Sequence, residues 1–391
     1  MGLAPFLRMN IAGTDIRPLG QDMLERAGRN ALDSALWMNL SIALQCIGQR
    51  DIGLMIQLQA LQQNRIYRLA AAVQPARLSL LVVAVPGDIS ANTPLDCLLE
   101  NSDIDLIFYY VADDAPLAEP VPEHDALFVA IADTDEHRTV LNTLQQSLAN
   151  WPKPVLNAPQ HIPSTGREAA SRLLRDAPGV LIPPTLQASR AALLDIAAGK
   201  ARLAESFAEC DFPMIVRPVG SHAGRDLDRV ANADELAAYL GKVESGDFYI
   251  SPFIDYSAKD GLFRKFRVAL VDGRPYACHM GVSANWMIHY VNAGMYEDAA
   301  KRAEEAAFME HFDDFARRHR QALQAIHQRT GLDYVCIDCA ETRDGRLLIF
   351  EIDHTMVVHA MDPEQLFPYK QVHMLKVKNA FREFLFRLTH K

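Results

Sequence analysis

Residues 332–354 read LDYVCIDCAETRDGRLLIFEIDH. The stretch divides into two largely apolar strands, DYVCIDCAET and RLLIFEID, around Asp344-Gly345, the pair that a two-residue hairpin turn prefers. With Arg343 facing Arg346 across that turn, Asp338 falls opposite Glu351. Side chains alternate along a strand, so Asp353 shares their face. Three carboxylates then meet on one face of a hairpin. Opposed like charges destabilise a sheet unless something neutralises them. A divalent cation with oxygen ligands, Mg²⁺ or Mn²⁺, can do this, and Mg²⁺ is commonly held by one or two carboxylates together with substrate phosphates. A solvated acidic face on an edge hairpin is the plain alternative.

The chain has 391 residues, so two or three domains are expected. Hydrophobic residues make up 49%, enough for a sizeable core. A net charge of −10 and a pI near 5.7 argue against nucleic acid as the main partner. An anionic substrate must therefore meet a local basic pocket. No apolar run reaches the roughly 18 residues of a membrane span, and LSLLVVAV (78–85) is far shorter. The first residues lack a secretory apolar region, and Phe6 stands where a myristoylation signal needs Ser or Thr. A cytoplasmic enzyme without a membrane partner is expected. Cys336 and Cys339 form C-x-x-C, but strand residues three apart point to opposite faces, so neither a redox nor a zinc site follows.

Residues 21–72 are helical in pattern, with a break at Gly48 to Asp51 and one weakly tetratricopeptide-like unit. From Arg77, apolar strands alternate with short helices, which predicts a parallel α/β domain over 76–160. No G-x-G-x-x-G occurs there. TGREAASRLLRDA (165–177) predicts a helix capped by Thr165 or Ser164, and another helix spans 190–208. FPMIVRPVGSHAGRDLDRV (212–230) is a strand and a small-residue loop, Gly220–Gly224, whose backbone N–H groups can approach phosphate oxygens. His222 in this loop is read as solvent-exposed. FRKFRVALVDGRPYACHMGV (263–282) is a second hairpin turned on Asp272-Gly273. Residues 297–329 predict one long charged helix, with His311, His319 and His327 on a solvated face, and 364–390 a C-terminal helix.

Over 76–365 these segments resemble the ATP-grasp superfamily, in the branch of glutathione synthetase, D-alanine–D-alanine ligase and the ribosomal-protein glutamate ligases. CIDCAETRDGRLLIFEID is similar to that family's metal hairpin. The resemblance assigns Mg²⁺ on ATP to Asp338, Glu351 and Asp353, the last standing in place of the family's Asn. IVRPVGSHAGRDLDRV looks like the strand and glycine-rich loop that hold phosphate, which implies cofactor-binding roles for Arg217, Gly220, Ser221 and Gly224. TGREAASRLL gives Arg167 a phosphate role. Both arginines replace a family lysine, a change that keeps charge but alters geometry. FYISPFID resembles the adenine-binding hinge, around Ser251, Phe253 and Ile254, with Asp255 as the nearby acid for ribose. FRKFRVALVDG places Arg267 near the γ-phosphate and the acyl phosphate. His289, His354 and His359 lie near the expected acceptor site, and Met287 replaces a common basic residue.

Behind a helical N-terminal segment (1–75) read from its own pattern, the resemblance implies a pre-ATP-grasp α/β domain (76–160) and a two-lobed ATP-grasp domain (161–245 and 246–391), an α/β and α+β architecture. It also implies an ATP- and Mg²⁺-dependent carboxylate–amine ligase. Its partners would be a carboxylate substrate, an amino acid or peptide, and an amine acceptor. A small-molecule kinase and a catalytically weak nucleotide- or peptide-binding protein are the alternatives. A peptide or protein partner at the N-terminal helices and a homodimer stay open.

Overall fold

The chain opens with four helices, α1 (Leu3–Ile11), α2 (Arg17–Arg29), α3 (Ser34–Cys46) and α4 (Arg50–Gln63). The structure is a computed structural model that describes residues 2–112, 117, 120–221 and 224–390. Asp33 caps α3 by accepting from the Leu36 N–H at 2.9 Å. The predicted helix through residue 72 ends earlier. Asn64 leaves the helical conformation, and its side chain bonds both the N–H and the C=O of Ile66. Ile66–Leu69 is a strand, β1. A sheet edge was available to it, and tertiary pairing overrode the helical pattern.

The α/β domain follows, with β2 (Leu78–Ala84), α5 (Leu95–Leu98), β3 (Ile104–Tyr110), β4 (Ala126–Val129), α6 (Arg138–Leu148) and β5 (Val155–Leu156). The sheet order is β1-β3-β2-β4-β5. Strands β2 to β5 are parallel, and β1 closes one edge antiparallel to β3. Strand β4 is buried along its whole length, as a sheet covered on both faces requires.

Next come a 3-10 turn (Pro159–Thr165), α7 (Arg167–Leu174) and β6 (Val180–Leu181). The predicted caps Ser164 and Thr165 lie inside the 3-10 turn, and Gly166 occupies the N-cap without a side-chain bond. After them run β7 (Leu186–Ser189), α8 (Arg190–Ala197), α9 (Leu203–Ser206), β8 (Met214–Pro218), β9 (Asp228–Val230), α10 (Ala233–Leu240) and β10 (Asp247–Pro252). The helix predicted over 190–208 is interrupted past α8, where Gly199 takes φ 70°. Strands β7-β10-β8-β9 form an antiparallel sheet with its own core, centred on Leu193, Val216, Leu236 and Phe248.

The last part contains β11 (Phe263–Val271), β12 (Arg274–Ser283), α11 (Ala299–Glu310), α12 (Phe312–Arg318), α13 (Arg320–Thr330), β13 (Tyr334–Glu341), β14 (Leu347–Asp353) and α14 (Pro368–Thr389). The sheet order is β12-β11-β13-β14-β6. Residues 161–182 therefore lie with this sheet, since β6 pairs with β14, rather than with the four-stranded one. The single helix predicted over 297–329 is three helices, broken at His311 and His319. His319 is not solvated: its side chain is 3% exposed and bonds Glu341 Oε1 at 2.7 Å.

One continuous core joins the α/β sheet, the five-stranded sheet and α12 to α14. Asn157 fixes the two sheets together: its side chain accepts from the Tyr334 N–H at 2.9 Å and donates to the Tyr334 C=O at 2.8 Å. The four-stranded sheet stands apart with a separate core, and the cleft between it and the five-stranded sheet holds the candidate site.

Candidate active site

The hairpin at 334–353 reaches the expected pairing by an unexpected route. The two-residue turn on Asp272-Gly273 forms as the sequence predicts, with Val271 opposite Arg274. At Asp344-Gly345 the loop has three residues instead. Thr342 and Arg346 close it by a backbone bond of 3.0 Å, and Gly345 sits at φ 82°. Glu341 then faces Leu347, one place out of the predicted register. That offset alone would put Phe350 opposite Asp338. A bulge between Cys339 and Asp338 takes up the extra residue, and Asp338 does oppose Glu351.

On this face the carboxylates already have partners. The Asp338 side chain is 2% exposed. It accepts from Arg267 Nε at 2.8 Å and Arg267 Nη2 at 3.0 Å, and Lys265 Nζ is 2.7 Å away. Burial alone would raise its pKa, but the Arg267 and Lys265 charges outweigh burial and hold it well below the usual carboxylate range. Burial acts against the Arg267 charge too, and Asp338 reverses that, so both members of the pair are ionised. Glu351 is bound by Arg167, with side-chain exposures of 34% and 24%. Asp353 accepts from the Thr355 N–H at 2.8 Å and its Oγ1 at 2.7 Å. Among the described residues no three His, Cys, Asp or Glu side chains are grouped to hold a metal as they stand. The hairpin register aligns Asp338, Glu351 and Asp353, and cations from β11 and α7 intervene. All six cysteines are free, and Cys336 and Cys339 are buried in β13.

Across the cleft, Arg217 is the penultimate residue of β8. It is 7% exposed and has no carboxylate within 4.0 Å among the described residues. Its guanidinium donates instead to Ser221, through the Oγ at 3.1 Å and through the carbonyl. Burial first, and then the Arg167 charge, lower its pKa to about 10. A buried cation held without an anion is costly, and the cleft is where an anion can reach it. Gly220 and Gly224 both have positive φ, 74° and 69°, as the loop requires. His222 lies outside the described residues.

The hinge differs from expectation at one donor. The Phe253 N–H bonds the Pro213 carbonyl at 3.0 Å, so it is engaged within the lobe. Ser251 pairs with Ile215 in the β10–β8 ladder, and its Oγ is buried without a hydrogen-bond partner among the described residues. Ile254 is half-buried, in contact with the cluster around Tyr256. Asp255 caps the following turn through the Ser257 N–H at 2.9 Å. Around the Phe253 ring sit Arg229, 4.7 Å from its centroid, and Trp286, edge-on at 5.7 Å.

One cleft residue, Lys265, escapes the sequence argument, and another, His289, is placed by the sequence only near the expected acceptor site. Lys265 lies two positions from Arg267 and so shares its strand face, a signal that alternation alone could have supplied. His289 touches Gly224 across the cleft, and nothing local announces that contact. His354 is fully buried, with Nε2 on the Ile131 carbonyl at 3.0 Å, which ties the end of β14 to the α/β domain. His359 is half-buried and accepts from the Met361 N–H at 3.1 Å.

No family model matches the sequence, and no curated protein matches it. Among solved structures the chain is similar to D-alanine–D-alanine ligase from Bacillus anthracis complexed with ATP. That match has 14% identity and TM-score 0.48, over 80% of this chain and 98% of that one. It is also similar to VanG D-Ala:D-Ser ligase from Enterococcus faecalis (12%, TM-score 0.46, 79% and 99%). A third is the RimK domain ATP-grasp protein from Sphaerobacter thermophilus DSM 20745 (16%, TM-score 0.43, 79% and 99%). No helix among the described residues is long and apolar enough to cross a membrane.

Proposed function

We propose that this chain is an ATP-dependent carboxylate–amine ligase working in the cleft between the four-stranded sheet and the five-stranded sheet that contains β13 and β14. The observation that carries the reading is Arg217, a buried guanidinium facing the cleft without a carboxylate partner among the described residues. Arg167, Lys265 and Arg267 bring three more cations to the same place. Such a set suits a polyphosphate.

Mg²⁺ is implied, and the donor set fits it in part. Glu351 and Asp353 are oxygen donors on one strand face, with side chains 34% and 31% exposed. They would hold the metal, with Asp338 beside them as a third anion balanced by Lys265 and Arg267. The metal would neutralise charge on the transferring phosphoryl group.

In the reaction, a carboxylate oxygen of the substrate attacks the γ-phosphorus and the bond to ADP breaks. Arg267 and Lys265, kept charged and oriented by Asp338, stabilise the acyl phosphate. An amine nitrogen then attacks the acyl carbon, phosphate leaves, and the amine proton passes to solvent. Arg217 and Ser221 hold phosphate oxygens at the loop. The backbone around Ser251 and Ile254 would line the adenine pocket, and Asp255 would meet the ribose.

ADP and phosphate released in step with amide formation, across a panel of amino acids and short peptides, would test the reading; a phosphorylated product would instead identify a kinase. A nucleotide-binding protein without turnover is a second reading. It is favoured by the occupied carboxylates, Asp338 and Glu351. ATP binding with no product from any acceptor would establish it.

A further inference from the structure

Between the N-terminal helices and the α/β sheet lies a cavity of about 340 Å³. The sheet lines it with the carboxyl ends of β2 and β3, at Ala84 and Tyr110, and α3 lines it with Ala35, Met38 and Ile42. Parallel α/β sheets bind ligands at the carboxyl ends of their strands, and the volume is that of a small-molecule pocket. None of the residues assigned to ATP lines it. Asp96 in α5 also lines this cavity and is 5% exposed. Its Oδ2 accepts from the Ala4 N–H at 2.9 Å, and no cation pairs with it among the described residues. Burial raises its pKa, and the backbone N–H groups of Ala4 and Leu3 do not cancel that. Beside it, the rings of Tyr67 and Tyr110 meet edge to face with centroids 6.0 Å apart. Burial, and then the Asp96 charge, raise the Tyr110 pKa, so that phenol stays neutral. Asp88, a second carboxylate on the wall, is already paired with Arg50 at 2.9 Å.

We propose that this cavity binds a small organic ammonium ion, a primary amine on an apolar body, with its –NH₃⁺ at Asp96 and its apolar part against Met38, Ile42 and the two tyrosine rings. The inference stands apart from the reading of the cleft as an ATP site. A buried carboxylate without a cation is costly, and a cation arriving with its own apolar body relieves that cost without bringing in water. Tyrosine rings add to the attraction, since their faces are electron-rich. An anionic ligand would set a second negative charge beside Asp96, and a neutral apolar one would leave the carboxylate as it is. Taking the roughly 30 Å³ that one water occupies, the cavity has room for about ten non-hydrogen atoms, the size of an alkyl or benzyl monoamine.

Benzylamine and hexylamine, each beside its neutral alcohol, are the probes, titrated into the full chain at neutral pH by calorimetry. Each amine should bind at least about tenfold more tightly than its alcohol, the worth of a charged hydrogen bond. Asp96→Asn keeps an oxygen for the Ala4 N–H and removes the charge, so amine and alcohol should then bind alike. Because Asp96 also holds the start of α1, a second variant leaves it in place. Ala35→Leu fills part of the cavity and should melt no earlier than the native chain while binding benzylamine at least about tenfold more weakly. ATP and a panel of carboxylates, added to the amine-bound chain, separate two roles. Conversion of the amine to an amide makes it the acceptor, and bound but unconverted amine makes it a separate ligand; either supports the site. A native chain that binds neither amine, or binds it no better than its alcohol, overturns the inference. So does an Asp96→Asn chain that keeps the preference, or an Ala35→Leu chain with native amine affinity.

Discussion

Replacing Arg217 by methionine should leave the ligand-free protein about as stable as the native chain while weakening ATP binding. Two opposed quantities set the expectation. The fall of the Arg217 pKa from 12.5 to about 10 on folding means that the fold disfavours this charge by about 3 kcal/mol. The two bonds to Ser221 return a similar amount, about 1.5–3 kcal/mol for hydrogen bonds to a charged group. Methionine keeps the apolar stem, so little packing is lost. The net change should stay within about 1 kcal/mol, well below the ~2–5 kcal/mol of an ordinary large-to-small core substitution. The sign of the pH dependence follows from a lowered basic pKa. The cost is fully present below about pH 10 and is relieved only as pH rises from about 10 towards 12.5. Only the native chain should show that alkaline gain relative to Arg217→Met. ATP affinity, by contrast, should fall by about 1.5–3 kcal/mol, the worth of a charged hydrogen bond. Urea unfolding at pH 7 without nucleotide, beside calorimetric ATP titration, measures both. A variant destabilised by more than ~3 kcal/mol, or one with native ATP affinity, would show that Arg217 serves the fold and not an anion.

Glu351→Ala should abolish Mg²⁺-dependent ATP consumption with little change in melting temperature, because its partner Arg167 stays partly solvated; near-native consumption would remove Glu351 from the site. Asp338→Asn should cost about 3–5 kcal/mol by leaving Arg267 and Lys265 buried without their anion, and a loss under ~1 kcal/mol in urea would contradict that pairing. The Asp338 contribution is present above the ordinary carboxylate pKa and is lost as pH falls through its lower folded value, so the variant should flatten the acid-unfolding curve. Deleting residues 2–63 removes Met38 and Ala60 from their packing on Tyr67 and Tyr110; a soluble product that binds ATP but loses affinity for the second substrate would give the helices a recognition role, whereas unchanged kinetics would leave them as packing.

The amino-acid sequence by itself determined the elements whose signals are local. The Asp272-Gly273 hairpin, the continuous apolar strands of the α/β sheet and the opposite faces of Cys336 and Cys339 all follow from short-range geometry. So does the shared face of Asp338, Glu351 and Asp353, although there two departures cancelled. A loop one residue longer than Asp344-Gly345 suggests was offset by a bulge between Asp338 and Cys339. Period-two patterning cannot register a bulge, since its cause lies in how the neighbouring strands close.

Tertiary structure alone decided what each charge meets. Arg167 is 184 residues from Glu351 and Arg267 is 71 from Asp338. No window of sequence contains both members of either pair. The same holds for β1, which became a strand because β3 offered it an edge, and for His319, which the break between α12 and α13 turns inward onto Glu341. It holds for His289 and Gly224, whose contact exists only because two loops from different sheets converge. Local sequence sets the backbone conformations that cost least. Which cation neutralises which carboxylate, and which cation is left for a ligand, is settled by burial, where an unpaired charge is too costly to leave to chance.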